Sequence, residues 1–246
     1  MKLSPQERSE RRAAFHRMDG RRKAEYIIAY YKAPILIGAA VFLILCSALY
    51  RQATKKEAVL YAALINLSVG ETLENTLTTR FIERSGANAR KTEVYLYRGL
   101  YLSDDAAPVN HEYAYASRLK LLGAVNAKQL DLVLMNREGY DILSRSGYLL
   151  ELSEPLRSEP ELLEGLSPYL AENTVILEDN ATEYNLNEAM EYREIAETAV
   201  NAVIVSALPS FRSAGFSDDV YLGVVANTDR SAWVLRYLRY LADDDI

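Results

Sequence analysis

The chain has 246 residues, of which 50% are hydrophobic and 25% charged, with one cysteine and a net charge of -6. This mixture excludes a disordered chain, a coiled coil and a disulfide-stapled scaffold. Met1–Lys32 carries nine Lys and Arg against four Asp and Glu, a net charge of +5, whereas Glu57–Ile246 carries sixteen against thirty, a net charge of -14. The segment between these two regions therefore divides the chain by charge.

That segment contains an uncharged stretch of eighteen residues, Ala33–Tyr50. At ~1.5 Å per residue it makes a helix of roughly 27 Å, near the hydrocarbon thickness of a bilayer. A buried core helix is the alternative, but such a helix normally keeps a polar stripe, and this stretch is apolar around its whole circumference. Tyrosines and cationic side chains flank both ends, as at membrane interfaces. We therefore predict a membrane span that contacts lipid through residues 33–50.

More Lys and Arg precede the span than follow it, which favours a cytoplasmic N-terminus and an extracytoplasmic acidic domain. A cleaved signal peptide is the main rival, but its charged region would be unusually long. We expect an uncleaved signal anchor in the cell membrane. The basic segment Met1–Lys32 is predicted to be helical from the capping box at Ser4-Pro5-Gln6-Glu7, and either binds anionic lipid or only enforces topology. Arg51–Lys56 is read as a basic spacer.

Glu57–Ile246 alternates strand-type and helix-type hydrophobic patterns, which predicts one domain. Helices are predicted to start near Ser68, Asn110, Asn136 and Ser231, and a polar helix is expected between the fourth and fifth strands. The predicted strands are Val59–Leu67, Thr92–Leu102, Leu130–Met135, Thr174–Leu177, Ala202–Ser206 and Val220–Val225. Strands that alternate with helices favour right-handed crossovers, so the expected class is α/β with a mostly parallel sheet covered by helices.

The outer domain offers little catalytic chemistry. Its one histidine, His111, has no Gly-x-Ser-x-Gly partner motif, and zinc lacks cysteine ligands there. Glu178-Asp179-Asn180 could donate oxygens to a hard cation, although plain turn chemistry is the commoner explanation. Phosphate-binding loops are absent, and the acidic charge argues against nucleic acid. We expect no catalytic residues, no metal site, no cofactor and no nucleic-acid partner.

Two side-chain patterns have a functional and a structural interpretation. One is a series of acidic residues that could be functional but usually marks a solvated helix face, Glu183, Glu188, Glu191, Glu194 and Glu197. The other is the row Tyr95, Tyr97 and Tyr101, which shares one parity on a predicted strand. That row could line a ligand cleft or pack under a helix.

The stretch Asp131–Asn136, continued by Ser146–Leu152, resembles a segment of bacterial extracellular solute-binding proteins in which a buried strand leads into a helix. The closing stretch Tyr221–Thr228 and the amphipathic helix after it are similar to the last strand and helix of the same family. The architecture as a whole resembles signal-anchored membrane proteins of Gram-positive bacteria. The resemblance implies a reduced type 2 periplasmic-binding-protein-like fold.

In that family the loops at the carboxyl ends of the strands contact the ligand, as is general for open α/β sheets. By position this implies a ligand site formed by Asn66, Ser68, Asn136, Arg137 and Ser206, to which the tyrosine row adds Tyr97. The leading hypothesis is a non-enzymatic, single-pass membrane-anchored domain that binds a small solute or a peptide. The alternative is a scaffold or accessory subunit of a membrane protein complex, for which small residues at Gly38-Ala39-Ala40 would permit close helix contact.

Overall fold

The computed structural model describes residues 19–105, 110–180, 192–212 and 214–243. The chain divides into two compact units, Met1–Lys55 and Lys56–Ile246. The predicted capping box at Ser4 lies outside the described residues. Glu183, Glu188 and Glu191 of the acidic series lie outside them as well.

The described residues of the N-terminal unit form a long helix, α1, over Gly20–Thr54. Asp19 caps it, because its Oδ1 accepts the N–H of Gly20 at 2.8 Å. Large apolar side chains along the helix are 50–70% exposed, namely Leu36, Ile37, Val41, Phe42, Leu43, Ile44, Leu45 and Leu49. In the parts of the chain that the structure describes, no helix combines the length and the hydropathy that a bilayer span requires.

The second unit is built on a six-stranded sheet with the order β2-β1-β3-β6-β5-β4. The strands are β1 (Glu57–Ile65), β2 (Thr92–Leu100), β3 (Leu132–Met135), β4 (Leu170–Asp179), β5 (Glu194–Ile204) and β6 (Tyr221–Val224). β1 pairs in parallel with β2 and β3, whereas β6 is antiparallel to β3 and β5, and β4 is antiparallel to β5. The α/β class is confirmed, but the sheet is mixed, so the prediction of a mostly parallel sheet is wrong. β6 begins at the edge of the sheet where β5 and β3 end, because Tyr221 lies opposite Ile204 and Met135. It therefore runs antiparallel to both neighbours.

The prediction of a polar helix between the fourth and fifth strands is also wrong for the residues that the structure describes. β4 and β5 form an antiparallel ladder from Leu170 opposite Val203 to Asp179 opposite Glu194. Glu194 and Glu197 therefore lie on a strand. Both strands carry β-branched residues at close intervals, and cross-strand pairing of these outweighs the helix-like spacing of the acids.

Helices cover both faces of the sheet. They are α2 (Glu71–Asn75), a π-helical turn at Thr76–Arg80 called here the π turn, α3 (Phe81–Arg84), α4 (His111–Asn126), α5 (Arg137–Arg145), α6 (Ser153–Arg157), α7 (Pro160–Leu166), α8 (Pro209–Arg212) and α9 (Ser231–Ala242). Alternate residues of β1 belong to two cores: Leu60 packs with Phe81 of α3 and Tyr237 of α9, and Ile65 packs with Tyr140 of α5. This alternation places α4 and α5 on one face and the other helices of the unit on the opposite face.

A buried carboxylate joins three segments at the amino end of β3. Asp131 is 0% exposed, and its side chain accepts the N–H of Tyr61 at 2.9 Å and the hydroxyl of Thr228 at 2.5 Å. Arg230 approaches the same carboxylate at 3.3 Å and lies 4.8 Å from the ring centre of Tyr61. The charge is thus paired and hydrogen-bonded, as burial of a carboxylate requires.

Replacing Asp131 with Ala should destabilise the second unit by about 2–4 kcal/mol, because the N–H of Tyr61 and the hydroxyl of Thr228 lose their acceptor and Arg230 keeps only the carbonyl of Lys128 as an acceptor. The measurement is urea unfolding of the full chain followed by the fluorescence of Trp233, the one tryptophan. The matched control is Asp229→Ala, which removes the exposed ion pair with Lys128 and should cost less than about 1 kcal/mol. Equal losses for the two variants would contradict this account of Asp131.

Candidate functional site

The six candidate ligand residues from the sequence lie in two places. The carboxyl ends of β1, β2, β3 and β5 share one edge of the sheet, because Leu100, Ile65, Met135, Tyr221 and Ile204 are consecutive partners across it. Five candidates follow these strands in the chain. Tyr97 instead lies within β2, at the side of the sheet.

Asn66 and Asn136 are brought together at the carboxyl edge, but they bind the protein itself. Asn66, at φ 56°, accepts the N–H of Leu102 on its Oδ1 at 2.8 Å and donates to the carbonyl of Leu102 at 2.7 Å. Its amide also donates to Oδ1 of Asn136 at 3.2 Å, and that oxygen accepts the N–H of Gly139 at 2.9 Å as the cap of α5. These two amides form a clamp between the ends of β1, β2 and β3.

Arg137 is held on an aromatic surface beside the clamp. Its guanidinium lies 5.6 Å from the ring centre of Tyr140 and 5.7 Å from that of Tyr221, and these two rings stack at 4.5 Å. Asp141 forms an ion pair with it at 3.0 Å. The pKa of Arg137 is raised, chiefly by a hydrogen bond to Tyr221, against a smaller effect of burial. The cation is therefore already engaged by groups on its own chain.

The two serine candidates do not join this group through hydrogen bonds. Ser68 is exposed in the loop between β1 and α2. Ser206 lies in a 3-10 turn after β5, where its hydroxyl accepts the N–H of Val220 at 3.2 Å and donates to Asp219 at 3.4 Å. The hydroxyl of Ser206 thus closes the connection between β5 and β6.

Tyr97 lines a groove of about 540 Å³ along the outer side of β2, called here the edge groove. One wall comes from the helical segment after β1 and contains Glu74, Thr78, Thr79 and Ile82. The other wall contains Tyr95, Tyr97 and Lys120, and the floor is β2 itself. Its volume is in the range of small-molecule sites.

The floor of the edge groove presents backbone groups. In the described part of the chain, β1 is the one strand that pairs with β2. The N–H of Glu57 donates to the carbonyl of Lys91 at 2.7 Å while Glu57 pairs with Thr92, so Lys91 and Glu93 direct their backbone groups toward β1. By the alternation of a strand, Val94 and Leu96 direct theirs into the groove.

The aromatic wall is a row of three tyrosines. The rings of Tyr61 and Tyr95 lie 5.9 Å apart, and those of Tyr95 and Tyr97 lie 4.8 Å apart edge to face. Burial raises the pKa of Tyr97, with a smaller contribution from Tyr95 and then Tyr61. Lys120 places its ammonium 5.5 Å from the ring centre of Tyr97.

Tyr101 does not extend this row, contrary to the parity expected from the sequence. The register between β1 and β2 shifts between Ala63 and Ile65, which pair with Tyr97 and Leu100, so β2 contains one extra residue there. Gly99 takes φ 65°, a value that glycine adopts without strain. Tyr101 stacks instead on Tyr113, with ring centres 6.4 Å apart. The bulge thus ends the aromatic wall at Tyr97.

The charge of the edge groove differs from that of its domain. Its lining has three cations, Lys56, Arg98 and Lys120, and two anions, Glu74 and Glu93. Arg98 and Glu74 pair with each other across the groove lining. The groove therefore has a net charge of +1 in a unit, Lys56–Ile246, whose seventeen Lys and Arg against thirty Asp and Glu give a net charge of -13.

The other residues that the sequence offered for chemistry are the Glu178-Asp179-Asn180 stretch and His111. Asn180 closes the β4–β5 ladder, because its Oδ1 accepts the N–H of Arg193 at 2.8 Å, which supports turn chemistry for Glu178-Asp179-Asn180. His111 is exposed at the start of α4. Among the described residues, no group of three or more His, Cys, Asp and Glu side chains is placed to hold a metal ion.

Sequence reasoning found Tyr95 and Tyr97 but not the rest of the edge groove. Lys120 lies on α4 and Thr78 on the π turn, and their proximity to β2 depends on how these segments pack. No protein-family model matches the chain, and no curated protein and no solved structure matches it. The resemblance to solute-binding proteins stays a prediction from the sequence.

Asn66 gives a test of the clamp. Asn66→Ala should cost about 2–3 kcal/mol of unfolding free energy, because it removes the hydrogen bonds to Leu102 and replaces asparagine with alanine, which tolerates φ 56° less well. Asn66→Gly removes the same hydrogen bonds without that strain and should cost about 1 kcal/mol less than Ala. Urea unfolding of both variants checks this order. If Asn66→Ala is as stable as Asn66→Gly, the backbone conformation at residue 66 does not contribute to the loss.

Proposed function

We propose that this protein is a non-enzymatic binding protein, held at the outer face of a bacterial membrane, that takes an extended peptide segment into the edge groove. The peptide would add to β2 as a further strand of the sheet. The observation that carries the proposal is the concave groove over the backbone groups of Val94 and Leu96. Strand addition obtains affinity from main-chain hydrogen bonds and specificity from pockets for alternate side chains.

The shape of the groove favours a single strand over the sheet edge of a second copy. Thr78 and Ile82 form a wall on one side of β2, and Tyr97 and Lys120 form a wall on the other. Two such edges meeting face to face would bring helical walls against each other before the strands could pair. An isolated extended peptide has no such walls, so it reaches the outer side of β2 without that conflict.

The two walls of the edge groove favour a peptide in which two types of side chain alternate. Successive side chains of an extended peptide point to opposite faces, so every second one would meet Tyr95, Tyr97 and Lys120. Carboxylate side chains suit that side, since Lys120 contacts the Tyr97 ring and the groove has a net positive charge. The intervening side chains would meet Ile82 and Thr78, which suit small or apolar groups.

Attachment to the membrane is supported by the sequence and by the exposed helix surface. Ala33–Tyr50 has no charged residue, and large apolar side chains of this stretch of α1 are exposed. An apolar surface of that extent needs lipid or another helix to cover it. The scaffold alternative differs from the proposal in the source of the peptide, which would then be a segment of a neighbouring membrane protein.

Peptide binding is tested with a positional-scanning library of acetylated, amidated heptapeptides added to the full chain in detergent micelles. We expect the wild-type protein to select pools that alternate acidic with small or apolar residues. Tyr97→Ala should weaken the best pool about tenfold or more, because it removes part of the aromatic wall. The control Tyr115→Ala changes a tyrosine that is 61% exposed on α4 outside the edge groove and should have no effect. Absence of binding to every pool would refute the peptide function.

Lys120 should determine the preference for acidic residues. Lys120→Met keeps the apolar stem but removes the charge, so we expect a several-fold loss for acidic pools and little change for neutral ones. The salt dependence of binding should fall in parallel. Lys128→Met is the matched control, because Lys128 pairs with Asp229 away from the groove. If Lys120→Met affects acidic and neutral pools equally, charge recognition by Lys120 is wrong.

Membrane attachment is tested by carbonate extraction of cells that express the full chain. The wild-type protein should stay in the membrane pellet. The double variant Phe42→Asp and Leu45→Asp should move to the supernatant, because each charge near the middle of a span costs about 2.5–3.5 kcal/mol. Leu119→Asp, at an apolar side chain that is 51% exposed on α4, should stay in the pellet. Wild-type protein in the supernatant would refute the anchor.

A further inference from the structure

The helical wall of the edge groove contains an irregular turn. Residues Thr76–Arg80 form a π turn between α2 and α3, so the segment from Glu71 to Arg84 is not a uniform α-helix. A π turn admits one extra residue, and the backbone carbonyls near it lose the regular pattern of helical donors. Such turns need other donors to keep them in place.

Two tyrosines of α9 supply those donors. The hydroxyl of Tyr240 donates to the carbonyl of Thr76 at 2.9 Å, and the hydroxyl of Tyr237 donates to the carbonyl of Leu77 at 2.9 Å. Tyr237 is 0% exposed and Tyr240 is 7% exposed. Burial raises the pKa of both phenols.

The two sides of the π turn therefore have different neighbours. Thr76 and Leu77 are buried and bound to α9, whereas Thr78 and Thr79 line the edge groove. If the turn relaxed to a regular α-helix, a shift by one residue would rotate side chains on one side of it by about 100°. Thr78 or Glu74 would then leave the wall of the groove.

We infer that Tyr237 and Tyr240 are positioning residues for the edge groove: they fix the π turn and thereby the shape of the wall that meets the peptide. The inference rests on the proposed peptide function. Phe81, the residue that follows the π turn, packs against α9. Its ring centre lies 4.8 Å from that of Tyr237, 5.4 Å from that of Tyr240 and 6.2 Å from that of Trp233. Peptide contact with the π turn should therefore change the fluorescence of Trp233.

The test compares Tyr240→Phe and Tyr237→Phe with Tyr140→Phe in the full chain. Tyr140 is the matched control, because its hydroxyl is also buried and lies 3.1 Å from the carbonyl of Ala171 and 2.8 Å from Oδ1 of Asn201, in the other core. Affinity for the best heptapeptide pool is measured where Trp233 fluorescence shows each variant fully folded. Amide hydrogen exchange is followed in the segment 76–82.

Each α9 variant should weaken binding about fivefold to tenfold, the change expected when one buried hydrogen bond no longer favours the binding-competent form of the turn, and speed exchange in the segment 76–82. Tyr140→Phe should leave both within twofold of wild type. The inference is overturned if the α9 variants bind as well as wild type, or if Tyr140→Phe weakens binding equally, which would indicate a general loss of stability. Wild-type protein that binds no pool would instead refute the proposed function, and the inference with it.

Discussion

Backbone N–H and C=O groups require hydrogen-bond partners, and in the described part of the chain no strand supplies them on the outer side of β2. Natural proteins usually protect such an edge with charges, bulges or a covering element. Here a bulge at Gly99 ends the strand, and two walls rise beside the edge without covering it. A protected but reachable edge is the arrangement that strand addition needs, and the proposed function depends on it.

One wall of the edge groove is held by contacts within the groove lining, and the other by contacts with α9. Tyr97 and Lys120 contact each other on one side of β2, while α9 holds the π turn on the other. α9 lies in the core that also contains Leu60 and Phe81, and it donates hydrogen bonds to the π turn to which Thr78 belongs. A change in α9 would therefore affect both the stability of the domain and the shape of the groove. The hydrogen bonds of Tyr140 lie in the other core and do not involve the π turn.

At the carboxyl edge, where the rule for open parallel sheets implies a ligand site, Asn66, Asn136 and Arg137 make contacts within the chain itself. β6 enters the sheet antiparallel beside β3 and brings Tyr221 to that edge, where its ring stacks on Tyr140 under Arg137. Asn66 and Asn136 meet as expected, but their amides are consumed by Leu102 and Gly139. Asparagine side chains are common in ligand sites, but the hydrogen bonds of these two hold the ends of β1, β2 and β3 together.

The sequence alone determined the features that depend on local periodicity and composition: the division of charge, the apolar stretch Ala33–Tyr50, the α/β class, and a buried strand, predicted at Leu130–Met135 and found at Leu132–Met135. It also placed Tyr95 and Tyr97 on one side of a strand, because side chains alternate with a period of two. Tertiary structure decided the direction of β6, the hairpin of β4 and β5, the bulge that removes Tyr101 from the row, and the proximity of Lys120 and Thr78 to β2. These depend on contacts between residues far apart in the chain, whose hydrogen bonds and packing outweigh local preference and leave no periodic signal.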